Sequence, residues 1–339
     1  MDIRHSDRTQ LRDIRAFTHQ FVAKDDRLAW AGYLATFAVF LGGLAATIAA
    51  VQAGLWALAL VTGLLTAFAI IRLYVIQHDC GHLSYLSTRR LNDLAGHGAS
   101  MVSLSPYTLM QENHNRHHAH VGNLDHREDG EVYTMTLREW RAAGVLGRLM
   151  YRLYRNPLVM IAGGALYVYF IRYRWPKNAL EVNVTSVLLH NLALAAWVGL
   201  LFALAGWTGV GVWFVTAWVA GMLGVFQVYL QHNFEDTYWD RRPDLDPQIA
   251  ALQGSSALNL GWLWDLGTGN IAYHDVHHFN PRIPLYNLRR CHFALDAMMP
   301  MRRIGWAEAL RSFRLKLWDE DAERLVPFPP ATQRVVATA

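Results

Sequence analysis

The sequence lacks charged residues over two long stretches. Of its 339 residues, 17% are charged and 53% are hydrophobic. No Asp, Glu, Lys or Arg occurs in the 44 residues between Arg27 and Arg72, or in the 53 residues between Glu181 and Glu235. A helix in a soluble protein exposes one face to water and carries charge there, so these gaps exclude an ordinary soluble domain. About 20 apolar residues cross the roughly 30 Å hydrocarbon core of a bilayer, so each stretch fits two crossings.

We therefore predict an all-α integral membrane protein with four transmembrane helices in two hairpins. The predicted spans cover about 30–50, 55–77, 184–205 and 210–231. Tight turns at 51–54 and 206–209 join the members of each hairpin. Aromatic residues mark membrane interfaces, and tryptophans lie near the predicted span ends: Trp30, Trp56, Trp207 and Trp213.

The basic residues predict the orientation. All 31 Lys and Arg residues lie in residues 1–27, in 72–177 or from Arg241 onward, and neither short turn carries one. By the positive-inside rule these regions face the cytoplasm. We thus expect an N-terminal cytoplasmic arm (1–29), a membrane domain (30–300) whose segments 78–183 and 232–300 form a helical cap, and a cytoplasmic tail (301–339). We expect no nucleic acid as a partner.

Cysteine and lysine are also scarce. The two cysteines, Cys80 and Cys291, both fall on the predicted cytoplasmic side, where disulfides are not expected. Only three basic residues are lysines, and this arginine bias favours a bacterial source and hence the inner membrane. No signal-peptide pattern precedes the first span. The uncharged segment 156–171 is short for a crossing and is flanked by arginines, so we predict that it is interfacial or re-entrant, with 98–110 as a weaker candidate.

Histidine is abundant, and nine of the 16 histidines are predicted to meet at one membrane surface. Side chains at i and i+4, or at i, i+3 and i+4, share one face of a helix and can reach one ion. Three segments have this spacing, and they are His78-Asp79-Cys80-Gly81-His82, His114-Asn115-Arg116-His117-His118 and His274-Asp275-Val276-His277-His278. His232 ends the fourth predicted span on the same side. A single pair at this spacing is common by chance, whereas the full set predicts metal ligands.

Nine imidazoles exceed what one ion can bind. Structural zinc takes four ligands, and catalytic zinc usually takes three plus water. Two ions with four or five ligands each use all nine, and iron suits imidazole. We assign Asp79 and Asp275 to the surrounding shell, where carboxylates orient imidazole N–H groups. Among the other histidines, His190 lies inside the third predicted span, where a polar residue is a functional candidate, although a packing role is the simpler interpretation.

These three histidine motifs resemble the three histidine boxes of the membrane fatty-acid desaturase and hydroxylase superfamily, and the likeness extends over about residues 30–300. His78 to His82 and the run from His277 to Leu288 resemble the branch of acyl-lipid omega-6 (Δ12) and omega-3 desaturases. The resemblance implies a di-iron site with O2 as co-substrate, and a further ligand before the third box, a place that His232 occupies. It implies an enzyme that inserts a cis double bond into an acyl chain of a membrane lipid.

The resemblance also implies partners. No fused cytochrome b5 motif occurs, so electrons come from a separate carrier such as ferredoxin. An acidic carrier would find arginines on the cap, and the candidates are Arg289, Arg290, Arg302 and Arg303, which could instead bind anionic lipid headgroups. An acyl-chain tunnel needs apolar and aromatic walls, and our candidates are Trp262, Trp264 and Tyr273, which could instead pack at the membrane surface.

Three other functions stay open on the sequence. A membrane di-iron hydroxylase or ketolase would use the same boxes. A zinc hydrolase of the ceramidase type would need fewer ligands and a catalytic acid or base, and the His-Glu-x-x-His motif is absent. A bis-His haem protein would place histidine pairs within the spans, where only His190 lies.

Overall fold

The computed structural model describes residues 8–127 and 132–330. A short helix, α1 (Arg8–Thr18), and a 3₁₀ turn (His19–Phe21) precede two long helices, α2 (Asp26–Gln52) and α3 (Trp56–Gly81). The Asp25 carboxylate caps α2 by accepting hydrogen bonds from the backbone N–H groups of Arg27 and Leu28. Gly54, with φ of 72°, occupies the turn between the helices. The first two predicted spans lie within α2 and α3.

Two further helices connect this hairpin to the histidine-rich region. Helix α4 (Arg89–Ser103) begins at Thr88, whose hydroxyl accepts from the N–H of Leu91, and α5 (Tyr107–His120) follows after a turn. Gly96 lets α4 approach Tyr107 closely, because a Cβ there would lie 2.3 Å from the tyrosine ring. Most side chains of 98–110, the weaker interfacial candidate, are buried against protein.

The next segment contains short helices. Helix α6 (Leu137–Ala142) begins with a reciprocal cap between Thr136 and Glu139, and α7 (Val145–Tyr154) follows it. Two π-helical stretches then run over Val159–Gly163 and Leu166–Ile171, before a 3₁₀ turn (Arg172–Arg174) and α8 (Ala179–Val182). The uncharged segment is thus helical throughout most of its length.

Helix α9 (Val184–His232) contains both remaining predicted spans. As one straight helix its 49 residues would extend about 74 Å, more than twice the thickness of a bilayer core. The backbone leaves the helical conformation at Gly206 (φ 60°, ψ −154°), within the predicted turn. A Cβ on Gly209 would lie 3.0 Å from the carbonyl oxygen of Leu201, which a continuous helix would hold about 12 Å away. The chain therefore reverses direction at Gly206.

Among the described residues, three helices are long and apolar enough to cross a membrane, namely α2, α3 and α9. They pack against one another around a core that includes Phe40, Ala67 and Ala217. The π-helical segment packs on the second half of α9, where the indole N–H of Trp218 donates to the carbonyl of Ala162 at 2.9 Å. By the length and composition of its helices, the chain is a membrane protein.

The C-terminal part is more irregular than predicted. Its helices are α10 (Pro247–Gln253), α11 (Trp262–Gly267), α12 (His274–Phe279), α13 (Leu285–Asp296) and α14 (Trp306–Ser312). Its strands are β1 (Ala257–Asn259), β2 (Arg303–Gly305), β3 (Leu317–Asp319) and β4 (Arg324–Val326). Strands β1 and β2 pair in parallel, with Ala257 opposite Arg303, and β3 and β4 pair antiparallel.

These strands correct the all-α prediction in one respect: the fold is mostly helical but includes two small sheets. They also show that the predicted tail is folded as far as Val326. Its apolar side chains explain this, because Leu317 and Trp318 are buried and pack with residues of other segments.

Candidate metal centre

Four elements place the nine clustered histidines side by side. The last turn of α3 carries His78, and His82 caps its C-terminus. Helix α5 carries His114, His117 and His118 in its last two turns, α12 begins at His274, and α9 ends at His232. The histidines on these elements lie up to about 200 residues apart in sequence, yet the fold brings them together in one place. The predicted convergence is therefore present in the structure.

The imidazoles turn their Nε2 atoms toward one another. The Nε2 atom of His114 lies 2.7 Å from that of His78 and 2.9 Å from that of His118. The Nε2 atom of His118 also lies 3.0 Å from that of His277. Together with His82, these residues form a five-histidine group whose ligand atoms lie within 4.8 Å of one another, and its members are His78, His82, His114, His118 and His277.

A second group lies against the first. The Nε2 atom of His278 is 3.2 Å from that of His117 and 2.9 Å from that of His274. This four-histidine group consists of His117, His232, His274 and His278. The rings of His118 and His278, one from each group, stack with centroids 4.2 Å apart. The arrangement thus offers two adjacent sites with five and four nitrogen ligands.

These distances fit ligands of transition-metal ions. An imidazole nitrogen binds an ion such as zinc at about 2.0–2.1 Å, so two nitrogens at right angles around one ion lie about 3.0 Å apart. The observed Nε2–Nε2 distances lie between 2.7 and 3.2 Å. Neutral imidazoles cannot all donate to one another across such contacts, since each has only one N–H. A metal ion in each group would satisfy the inward-facing lone pairs.

The protonation of the histidines favours metal binding. Burial lowers the pKa of every histidine in α5 and α12 that belongs to either group well below the usual range, and neighbouring imidazoles lower it further (His114, His117, His118, His274, His277 and His278). Neutral imidazole is the form that binds a metal ion. At neutral pH these side chains therefore present lone pairs rather than protons.

Contacts behind the rings hold some imidazoles in place. The Nδ1–H of His232 donates to the carbonyl oxygen of Gly254 at 2.9 Å, so its Nε2 faces the other histidines. The Asp79 carboxylate lies 3.4 Å from Nδ1 of His78 and accepts from the backbone N–H of Leu285. Its role in orienting an imidazole stays a prediction.

Asp275 is placed differently from its predicted role. Its carboxylate lies 3.3 Å from Nδ1 of His292, outside both groups, and accepts from the N–H of Val276. Among the described residues, Nδ1 of His274, His277 and His278 has no hydrogen-bond partner. The carboxylate points away from the clustered rings because its own helix turns it toward α13. His292 is itself fully buried.

A buried arginine near His232 was not predicted from the sequence. Arg155 is 0% exposed, and its guanidinium donates to Oδ1 of Asn233 at 2.7 Å and to the carbonyl oxygens of Tyr133 and Leu315. It thereby ties the end of α9, where His232 lies, to α7 and to the loop before β3. No local sequence signal marks Arg155, because it is one of many arginines flanking an apolar segment.

The two groups differ in their access to solvent. All four members of the four-histidine group are buried, whereas His82, His114 and His118 of the five-histidine group are partly exposed. A polar cleft reaches His82 from the surface and is lined by residues that include Arg89, Gln111 and Asn115. The cleft therefore approaches the five-histidine group from the side of His82.

The tunnel candidates separate into two kinds. Trp262 is 69% exposed, so its side chain does not form an interior wall, because the start of α11 faces outward. Trp264 and Tyr273 are buried, and they donate hydrogen bonds to the side chains of Gln227 and Asp265. Of the three candidates, only Trp264 and Tyr273 therefore have the interior position that a tunnel wall needs.

The arginines predicted to dock an acidic carrier are mostly paired within the protein. Arg302 contacts the carboxylates of Asp236 and Glu308, and Arg303 contacts that of Asp296. Arg289 lies 3.7 Å from Asp265, whereas Arg290 lies over the ring of Phe21. Internal pairing therefore reduces the charge that three of the four could offer to a partner.

The other histidines that the structure describes lie outside the two groups. Within the membrane segments, Nδ1 of His190 hydrogen-bonds Oγ of Ser100 at 2.7 Å, in line with the packing interpretation. His120 and His126 stack on each other with centroids 4.5 Å apart. His97 is exposed and packs against Tyr107.

Comparison with known proteins identifies the family. The fatty acid desaturase family matches residues 54–309. A "Fatty acid desaturase" of Bacillus subtilis (strain 168) is 35% identical over 291 residues, which cover 81% of this chain and 82% of that protein. The "sn-1 oleoyl-lipid 12-desaturase" of Anabaena variabilis is 24% identical over 74% of both chains. A "sn-1 acyl-lipid omega-3 desaturase (ferredoxin)" of Synechocystis is 29% identical over 68% of this chain and 64% of its own.

The match spans the helices that carry all nine clustered histidines, and it agrees with the resemblance seen in the three histidine motifs. The chain belongs to the fatty acid desaturase family and is an oxidoreductase of lipid metabolism.

Proposed function

We propose that this desaturase inserts a cis double bond into an acyl chain of a membrane lipid at a di-iron site. The observation that carries the proposal is the pair of adjacent histidine groups, with inward Nε2 atoms 2.7–3.2 Å apart. The five-histidine group would hold one iron ion and the four-histidine group the other. All nine imidazoles then serve as ligands, which agrees with the number expected for two ions.

The proposed placement in the membrane follows from the chain reversal at Gly206. Helix α9 then makes two crossings, and α2 and α3 make the other two, so that four spans return both chain ends to one side. The basic residues favour the cytoplasmic side of a bacterial inner membrane. On this arrangement, the histidine groups lie at the cytoplasmic membrane surface, within reach of an acyl chain from the bilayer.

The proposed reaction removes one hydrogen from each of two neighbouring methylene carbons. Two electrons and two protons from outside the substrate complete the reduction of one O2 to two water molecules. Bound iron would supply the chemistry that activates O2, which protein side chains lack. The protein contributes placement of the methylenes beside the histidine groups and exclusion of water from the buried four-histidine group.

Electrons would come from a separate small redox protein. The Synechocystis relative carries ferredoxin in its printed name, and this supports a carrier of that class for the present chain. The polar cleft at His82 supports electron entry on the side of the five-histidine group, because three histidines of that group are partly exposed.

Fatty-acid profiling tests the proposal. The chain would be expressed in a host of defined lipid composition, and its fatty acids would be compared with those of a host expressing His117→Ala. New cis double bonds that depend on His117 are the expected result. Hydroxy or keto products without new double bonds would show that the chain is a hydroxylase or ketolase instead. His126→Ala is the matched control, because His126 lies outside both groups and should leave the profile unchanged.

A further inference from the structure

Helix α7 is amphipathic, but it exposes its apolar face and buries its polar face, the reverse of a surface helix in a soluble protein. Its apolar side chains are 51–87% exposed, and they are Val145, Leu146, Leu149, Met150 and Leu153. The opposite face is buried and polar: Tyr151 is 4% exposed, and Arg155 just beyond the helix is 0% exposed. A helix in water buries its apolar face, so the medium outside α7 is apolar.

The exposed apolar surface continues beyond α7 toward the membrane-spanning part. Leu158 is 75% exposed, and the π-helical segment that follows packs on α9 through Trp218 and Ala162. The end of α7 is held near the end of α9, because Arg155 donates to Oδ1 of Asn233, and α9 is long and apolar enough to cross the bilayer. The ten residues of α7 extend about 15 Å, too short to cross, so α7 fits the surface of the membrane.

Arginines accompany this apolar face. Arg148 donates to the backbone carbonyls of Trp140 and Arg141, and the Arg152 guanidinium lies 4.4 Å from the ring centroid of Phe328 and 5.2 Å from that of Trp140. Among the described residues, no carboxylate pairs with Arg141, Arg148 or Arg152. By contrast, Arg138 nearby pairs with Asp321. The aromatic contacts orient the Arg152 side chain but leave its N–H donors available.

We propose that α7 lies flat in the membrane surface and binds the headgroups of anionic phospholipids through Arg141, Arg148 and Arg152. Negative headgroups complement three guanidinium groups that pair with no carboxylate in the described part of the chain. The apolar face fixes the depth of the helix, and the arginines select the lipid charge. This site is separate from the histidine groups, so its test requires neither iron nor catalysis.

Lipid retention provides the first test. The full-length protein would be purified in mild detergent, incubated with equal amounts of dioleoyl phosphatidylglycerol and dioleoyl phosphatidylcholine, and analysed by native mass spectrometry. The wild type should retain phosphatidylglycerol preferentially. Each arginine near an anionic surface contributes a factor of about five, so Arg148→Gln/Arg152→Gln should weaken retention roughly 25-fold. Arg138→Gln is the matched control and should behave as the wild type, since Arg138 already pairs with Asp321.

Equal retention of the two lipids by the wild type would overturn the proposal, as would wild-type retention by the double variant. Complete displacement of phosphatidylglycerol by inorganic phosphate would also overturn it, because the site would then bind soluble anions. If the double variant does not fold, Arg148→Lys/Arg152→Lys keeps the charge and should keep most of the preference for phosphatidylglycerol.

A depth measurement tests the placement of α7 independently. The native cysteines are buried, so a bimane label on Leu149→Cys would report that position. In vesicles, this label should be quenched by brominated lipids and protected from iodide. Ala322→Cys, in the exposed turn between β3 and β4, is the control and should show the reverse. Quenching of the Leu149 label by iodide to the same extent as the Ala322 label would contradict a membrane-surface position.

Discussion

His232 and His274 lie 42 residues apart in sequence, yet their Nε2 atoms are 3.1 Å apart. The hydrogen bond from His232 Nδ1 to the Gly254 carbonyl leaves Nε2 without a proton, and this lone pair faces into the four-histidine group. The end of α9 thus contributes a candidate ligand that none of the three histidine motifs contains. This contact joins the last predicted span directly to the third motif.

We predict that His232→Ala lowers the iron content from about two ions per chain to about one. The four-histidine group would keep three ligands, whereas the five-histidine group would be intact. Metal analysis by mass spectrometry of the purified variant checks this, with His126→Ala as the control. An unchanged content of two iron ions would contradict the assignment of His232.

His117→Ala or His277→Ala should abolish desaturation, with at least a hundredfold less product, while the protein still inserts into the membrane. Each change removes one inward Nε2 atom, His117 from the four-histidine group and His277 from the five-histidine group. Product analysis and membrane fractionation measure the two properties separately. Full activity in either variant would show that the residue is not a ligand.

The helix that carries the second histidine motif depends on a close contact. Gly96→Ala should destabilise the protein by about 2 kcal/mol, because the new Cβ would lie 2.3 Å from the Tyr107 ring. That ring cannot move freely, since its hydroxyl donates to the Cys80 carbonyl at 3.0 Å. Thermal unfolding in detergent measures the change. Gly42→Ala meets no atom within 4 Å and should change stability by less than about 1 kcal/mol; equal effects would refute the packing explanation.

Lys316 should make stability depend on pH. Burial, together with the nearby Arg155, lowers the pKa of Lys316 from 10.5 to about 8. Between pH 8 and 10.5 the unfolded chain keeps this proton while the folded protein loses it, so stability contributed by Lys316 rises with pH through that window. Relative to Lys316→Met, the melting temperature of the wild type should rise by about 2 °C or more from pH 8 to pH 10. Parallel pH profiles of the two proteins would show that Lys316 stays charged.

Much of this arrangement could be predicted from sequence. Long stretches without charge favour helices buried in a membrane, and the predicted spans lie within α2, α3 and the two halves of α9. The spacing of the histidines predicted that they would share helix faces, but it could not predict which residues share an ion. His117 and His118 are neighbours in sequence but about 100° apart around the helix, so they belong to different groups.

Other features depend on distant contacts that no local pattern shows. The Gly254 carbonyl holds His232, and Arg155 holds Asn233, across 22 and 78 residues respectively. Asp275 shares its spacing with Asp79, yet it faces His292 because of the direction in which α12 packs. Strands of three residues, such as β1, form through long-range pairing that the hydrophobic pattern does not indicate.

Metal analysis of the purified full-length protein, combined with its absorption spectrum, tests the proposed di-iron centre most directly. Two histidine groups of five and four ligands predict two iron ions per chain, little zinc and no Soret band of haem. One zinc ion per chain without iron would contradict the di-iron centre and favour a hydrolase.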